Sequence, residues 1–159
     1  MIQSLEGLLA NCKYAIKQTC KMQVGWSCGK IGPMKSARVF RSGCPLASAL
    51  DILGDKWSLI ILRGLFVGFE RYGDFLKGPE RIATNILASR LRDLESYELI
   101  KSVGDRKGQG KTFQLTRKGA DLLPVLQKLA LWGEMHIPNR WQPPKAFLRA
   151  RPSDFYPDD

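Results

Sequence analysis

The spacing of hydrophobic residues first follows a helical period in the middle of the chain. Residues 45–53 and 56–66 carry apolar side chains at intervals of three and four, which predicts two helices, each followed by a glycine. Pro45 suits the first turn of the first helix, and Asp55 is placed to cap the second. Residues 72–76 predict a short third helix.

A fourth helix is predicted over about residues 85–97, with Thr84 as its N-terminal cap. Leu87, Leu91 and Leu94 recur on one side of it and form an apolar stripe. Small and polar residues fall on the opposite side: Asn85, Ala88, Ser89 and Arg92.

The period then changes to that of strands. Residues 99–103 and 112–115 predict two strands, and the polar, glycine-containing segment 105–110 between them predicts the turn of a hairpin. The hairpin therefore has a basic tip, with Arg106 and Lys107 in the turn.

A last helix is predicted from residue 117 to about 136, with Thr116 as its cap. Pro124 must either kink this helix or open a new first turn. Its apolar stripe is too hydrophobic for a lone exposed helix, so it belongs to the core or to a dimer interface, and we favour the interface for four residues: Leu122, Leu126, Leu129 and Trp132.

The two ends of the chain differ from the middle. We expect residues 1–40 to be an N-terminal extension that is loose, or that reflects a start site upstream of the native one near Met34, and residues 41–137 to be the compact domain. Residues 138–159 form a proline-rich tail that we expect to be poorly ordered.

The charge of the chain points to a polyanionic partner. Lys and Arg number 25 against 15 Asp and Glu, a net charge of +10, which is typical of proteins that bind DNA, RNA or an anionic membrane surface. Residues 81–118 hold nine bases against four acids, so the surplus is concentrated there.

Several function classes are excluded or disfavoured. The single histidine excludes a multi-histidine metal site, and there is no Gly-rich phosphate loop, paired-carboxylate cleft or nucleophile–base signature, so we predict no enzyme, cofactor or metal. The longest apolar run, residues 57–69, is broken by Arg63 and is shorter than the roughly 20 residues of a membrane span. We therefore expect a cytoplasmic protein with reduced cysteines and no membrane partner.

Taken together, the element order predicts a winged helix-turn-helix, a mainly α-helical fold with a small β-hairpin wing (α+β). In such folds the helix with the polar outer face enters the major groove, and the wing contacts the backbone or the minor groove. The predicted DNA-binding residues are Thr84, Asn85, Ala88, Ser89, Arg92, Arg106, Lys107 and Lys111.

Five motifs in the same order resemble one family. They are the Cys-Pro helix with Gly-x-Lys-Trp at 44–63, Arg-Tyr-Gly-Asp-Phe at 71–75, Leu-Ala-Ser-Arg-Leu-Arg-Asp-Leu-Glu at 87–95, Leu-Thr-Arg-Lys-Gly at 115–119 and Leu-Leu-Pro-Val-Leu at 122–126. Over residues 44–136 the chain is similar to HxlR-type bacterial transcriptional regulators, which have a MarR-like winged helix-turn-helix.

That resemblance implies a homodimer built on the first and last helices and bound to a pseudo-palindromic operator in double-stranded DNA. It also implies control of a nearby gene, with a small-molecule or oxidant inducer in some members. Several members sense oxidants through the cysteine of the Cys-Pro motif, which is Cys44 here; the alternative is a buried, inert thiol. No cysteine follows Cys44, so a bridge from it to a C-terminal cysteine is impossible.

Two other functions remain open from the sequence. A winged helix can also serve as a protein-interaction or RNA-binding module. A protein-docking version should carry apolar or acidic residues where this chain has polar and basic ones. A nucleoid-type protein that binds DNA without sequence preference has the same charge as a specific regulator.

Overall fold

The computed structural model describes residues 40–104 and 110–156. The elements in chain order are helices α1 (Pro45–Leu53), α2 (Ser58–Phe66), α3 (Tyr72–Leu76) and α4 (Thr84–Ser96), strands β1 (Ile100–Gly104) and β2 (Lys111–Leu115), helices α5 (Arg117–Ala120), α6 (Leu123–His136) and α7 (Lys145–Arg149), and a closing 3₁₀ helix (Pro152–Phe155). The predicted mainly helical fold with one hairpin is confirmed.

The hydrophobic core lies between α2, α4, α6 and the hairpin. Leu62 of α2, Leu87 of α4 and Leu123 of α6 are fully buried. The predicted apolar side of α4 is confirmed, since Leu91 and Leu94 are buried in the same cluster. This packing directs the opposite side of α4 to solvent.

The hairpin is antiparallel, with Ile100 opposite Leu115 at its base and Gly104 opposite Lys111 near its tip. Ile100, Phe113 and Leu115 face the core. The predicted wing residues Arg106 and Lys107 lie outside the described residues.

Two predicted caps differ in outcome. Thr84 is the first residue of α4 and not its cap; the cap position is Ala83, whose methyl side chain accepts no hydrogen bond. Thr116 caps α5 as predicted, because its Oγ1 accepts a hydrogen bond from the backbone N–H of Gly119 at 3.1 Å.

The predicted last helix is interrupted. Helix α5 ends at Ala120, and Pro124 stands in the first turn of a new helix, α6, so the second alternative for Pro124 holds. Gly119 makes this close packing possible, since a Cβ there would lie 1.9 Å from the carbonyl oxygen of Leu99.

The expectation of a poorly ordered tail is wrong for residues 138–156. The side-chain amide of Gln127 donates hydrogen bonds to the carbonyl oxygens of Phe147 at 2.8 Å and Ala150 at 2.9 Å. The ring of Phe155 packs edge-to-face on Phe66, with centroids 4.8 Å apart. Prolines favour an irregular backbone, but Phe147 and Phe155 between them are partly buried against the core.

One apolar face of α1 remains uncovered in the protomer. Leu46 and Leu50 of α1 are 69% and 50% exposed.

Among the described residues, no helix is long and apolar enough to cross a membrane.

Candidate nucleic-acid interface

The outer face of α4 is the centre of the predicted interface. Thr84, Asn85 and Arg92 are exposed, and Ala88 and Ser89 are partly exposed. All five therefore share one accessible face, as the helical spacing requires. We call this set the α4 face.

One hydrogen bond fixes the start of α4. The hydroxyl of Tyr72 in α3 donates to the carbonyl oxygen of Thr84 at 2.6 Å. Helices α3 and α4 are the two helices of the helix-turn-helix. This bond therefore helps to fix the position of the start of α4 relative to α3. Sequence reasoning missed this role, since a tyrosine in a short helix gives no signal of its distant acceptor.

Arg90 braces α4 from its other side. Its guanidinium lies 3.3 Å from the carboxylate of Asp93 and 3.7 Å from that of Asp55. These two ion pairs occupy Arg90 within the protomer.

Asp55 connects this brace to the start of α2. It accepts hydrogen bonds from the backbone N–H groups of Trp57 at 2.8 Å and Ser58 at 3.1 Å, and from the Ser58 hydroxyl. Burial raises the pKa of the Asp55 carboxyl, but these hydrogen bonds and the charge of Arg90 outweigh it, so that the pKa lies below its ordinary value. Asp55 thus stays ionised near neutral pH.

A second ion pair holds the turn between α3 and α4. Nη1 and Nη2 of Arg63 donate to Oε1 and Oε2 of Glu80 at 2.7 and 3.0 Å. The hydrogen bond from Arg63 holds the pKa of Glu80 below its ordinary value.

Arg92 is positioned differently from Arg63 and Arg90. Its Nε donates to the carbonyl oxygen of Ala88, one turn earlier, at 3.2 Å. Within the described residues its guanidinium makes no ion pair. Its terminal nitrogens are therefore available to an external acceptor.

The base of the wing adds exposed cationic side chains. Lys111 is exposed at the start of β2, and Lys101 is exposed on β1. Sequence reasoning counted Lys101 in the basic segment but did not assign it to the site. The strand alternation was the available signal, because its neighbour Ile100 is buried.

Cys44 occupies the cap position at the start of α1 and is exposed. The alternative of a buried thiol is therefore wrong for the protomer. Its backbone N–H donates to the Ser42 hydroxyl at 3.2 Å, and the nearby Arg41 is paired with Asp51. Cys12, Cys20 and Cys28 lie outside the described residues, and no group of metal-binding side chains occurs within the described ones.

The four residues assigned to a dimer interface do not share one environment. Leu126 is buried in the core of the protomer and Leu122 is partly buried, so the assignment of Leu126 to an interface is wrong. Leu129 and Trp132 are 51% and 56% exposed. Val125, one turn before Leu129, is also 51% exposed and was missed.

The sequence model of a family described as HxlR-like helix-turn-helix matches residues 52–141, more than half of the chain. The chain belongs to this HxlR-like family. It is accordingly an HTH-type transcriptional regulator and not an enzyme.

Named relatives agree with this membership. YdeP of Bacillus subtilis (strain 168), an uncharacterized HTH-type transcriptional regulator, is 35% identical over 95 residues, which cover 59% of this chain and 74% of YdeP. The regulator sll1512 of Synechocystis sp. is 36% identical over 84 residues, which cover 52% of this chain and 62% of sll1512.

Solved structures share the fold. PA1607, a proposed transcription factor, superposes with a TM-score of 0.59 at 38% identity and covers 64% of this chain and 72% of its own. The redox regulator HypR in its reduced form gives a TM-score of 0.54 at 26% identity, covering 58% of this HxlR-like chain and 92% of HypR. Reduced YodB from B. subtilis gives 0.52 at 26% identity, covering 63% of this chain and all of YodB.

Proposed function

We propose that this HxlR-like protein recognises a pseudo-palindromic operator in double-stranded DNA as a homodimer. The observation that carries the proposal is the α4 face. It combines small and polar side chains with Arg92, which makes no ion pair to any described residue, on a helix whose other side is buried in the core.

The chemistry of the α4 face matches base readout. Asn85 and Ser89 can donate to and accept from base edges in the major groove, and Arg92 suits the two acceptors of guanine or a phosphate. Thr84 and Ala88 are small enough to let the helix approach the bases, and their methyl groups can contact thymine. These five side chains are the proposed recognition set.

The wing supplies affinity without base readout. Lys111 is exposed at its base, and the sequence places Arg106 and Lys107 at its tip. Lysine and arginine on phosphates release counterions, which makes binding salt-dependent but carries no sequence information.

The dimer is supported by the uncovered apolar residues. Val125, Leu129 and Trp132 follow one another at intervals of four and three along α6, and each is about half exposed. An exposed apolar stripe adds no stability to a monomer, whereas a second copy of the chain would remove this stripe from water. A two-fold dimer places its two recognition helices in successive major grooves, about 34 Å apart, which fits a pseudo-palindromic site.

A thiol response is a second candidate property, favoured by the exposed position of Cys44 at a helix N-terminus. The structural likeness to HypR, named a redox regulator, points the same way. The chemistry is a mixed disulfide: Cys44 and a small thiol each lose one hydrogen, and diamide takes up both. A Cys44→Ser variant should keep its operator affinity when diamide and glutathione are added, while the wild type loses affinity.

The experiment that tests the proposal is fluorescence anisotropy with DNA from upstream of the gene and of its neighbours. Scrambled DNA serves as competitor, and a salt series separates specific from electrostatic binding. We expect tight binding that resists the competitor at physiological salt. Equal binding to both DNAs would favour the nucleoid-type function, and no DNA binding would favour a protein-docking module.

A further inference from the structure

A groove of about 660 Å³ lies beside α6 on the side away from its exposed stripe. Ala130, Gly133 and Glu134 of α6 line one wall, and they continue at helical spacing from the buried Leu123 and Leu126. The second half of α6 thus turns its core-facing side toward open space. This volume is within the range of small-molecule sites, roughly 300–1,000 Å³.

The opposite wall comes from the segment after α6. It includes Trp141, Gln142, Pro143, Pro144 and Phe147. Most of this wall lies beyond residue 141, where the match to the HxlR-like family ends. Most of this wall therefore lies outside the residues matched to the family, and the groove is preformed because Gln127 holds the end of α7 to α6 through the carbonyl oxygens of Phe147 and Ala150.

The polar groups of the groove are unevenly paired. Arg63 and Glu80 line it but neutralise each other through two hydrogen bonds. Arg140 donates only its Nε, to the carbonyl oxygen of Pro138 at 3.1 Å, and within the described residues it has no carboxylate partner. Glu134 likewise makes no ion pair there. The groove thus offers one free cation and one free anion.

The remaining lining includes the uncharged polar residues Asn139 and Gln142, but most of it is apolar. Trp141 is 81% exposed, and Phe147 and three prolines contribute planar or rigid surfaces. An exposed tryptophan at the edge of a groove provides a face on which a planar ring can stack. The planar surfaces favour an aromatic ligand over a flexible aliphatic one.

We propose that this groove binds a small aromatic acid that also carries a hydrogen-bond donor. The guanidinium of Arg140 binds the carboxylate, Glu134 accepts from the amino or hydroxyl group, and the ring packs against Trp141. The proposal goes beyond operator binding and does not depend on it.

Titration calorimetry of the full chain without DNA tests the proposal. The probes are 2-, 3- and 4-aminobenzoate and the matching hydroxybenzoates, with benzamide and acetate as controls. We expect at least one probe to bind with a Kd of about 10 µM to 1 mM, and the controls to be at least about tenfold weaker. Absence of binding by every probe would overturn the proposal.

Matched variants locate the site. Gly133→Phe should abolish binding by filling the groove, whereas Gly133→Ala should retain it, since an added Cβ there meets no atom within 4 Å. Arg140→Gln should weaken the binding of the acids by about tenfold or more because it removes the positive charge but keeps a polar side chain with an N–H donor. Unchanged affinity in Gly133→Phe or Arg140→Gln would contradict the site.

Two controls keep these outcomes clear. Circular dichroism and operator binding should be unchanged in Gly133→Phe, which shows that the variant is folded and separates failure of the groove from failure of the DNA proposal. Sedimentation reports the assembly state. Conversion of Gly133→Phe to a monomer would mean that a second copy covers the groove, and the proposal would fall.

Discussion

The hydroxyl of Tyr72 donates a 2.6 Å hydrogen bond to the carbonyl oxygen of Thr84, which joins α3 to the first residue of α4. Tyr72→Phe removes this bond and nothing else. We expect operator affinity to fall about fivefold, the equivalent of about 1 kcal/mol for one hydrogen bond, because the start of α4 is less well fixed. Anisotropy measures the change.

Tyr156→Phe is the matched control for this loss. It removes a hydroxyl from a partly buried tyrosine whose ring packs over Arg117, and the ring contact is retained. Equal losses in the two variants would show that the Tyr72–Thr84 bond has no special role in operator binding.

The α4 face and the wing should differ in what they contribute. Asn85→Ala and Arg92→Ala should weaken operator binding more than binding to scrambled DNA, by about 1–3 kcal/mol in the case of Arg92, because they remove base contacts. Lys111→Ala should weaken both about equally and flatten the salt dependence by about one unit. Identical behaviour of all three variants in the anisotropy salt series would refute this division.

The dimer interface is tested on α6. The double substitution Leu129→Asp with Trp132→Asp should yield monomers in sedimentation. Each protomer would have to bury two charged carboxylates, without their hydration water, in the dimer interface. Leu131→Asp is the control, because Leu131 is also exposed but lies on another side of the helix. A dimer that survives the double substitution would place the interface elsewhere.

The Arg63–Glu80 pair predicts a pH-dependent stability. The pKa of Glu80 is lowered in the folded state, so its contribution to stability is present above the ordinary carboxyl value of 4.5 and is lost as the pH falls through the lowered folded value. Glu80→Gln should therefore lower the Tm at about pH 7 and have little effect at about pH 3. Thermal melts of the wild type and of Glu80→Gln at both pH values measure the difference in Tm between them. The same Tm difference at both pH values would contradict the prediction.

Helix α5 packs closely against Leu99, the residue before β1, and this packing requires a glycine at position 119. Gly119→Ala should reduce the free energy of unfolding by about 1–3 kcal/mol, because its Cβ would overlap the carbonyl oxygen of Leu99 and the backbone must shift. Gly73→Ala in α3 is the control, since its Cβ would meet no atom within 4 Å. Urea unfolding of both variants should separate them clearly.

Much of this fold could be predicted because its signals are local. Hydrophobic periodicity located helices α1 to α4 and both strands to within a few residues, and Thr116 was correctly assigned as a cap. The side of α4 that faces solvent followed directly from the positions of Leu87, Leu91 and Leu94. Each of these inferences depends only on residues a turn or two apart.

The tertiary structure decided what covers each apolar face. The stripe on α6 was continuous in the sequence, yet Leu126 is buried within the protomer while Leu129 is exposed. Periodicity gives the direction of a side chain along a helix but not how far the core extends beneath it.

The tail and the groove were equally beyond the sequence. Phe155 packs on Phe66, and Gln127 bonds to carbonyl oxygens some 20 residues later. The sequence by itself therefore determined helices α1 to α4, the hairpin, the family resemblance and the polar α4 face. Only the tertiary structure decided the buried half of α6, the Tyr72–Thr84 bond and the groove, because these arise from contacts between segments far apart in the chain.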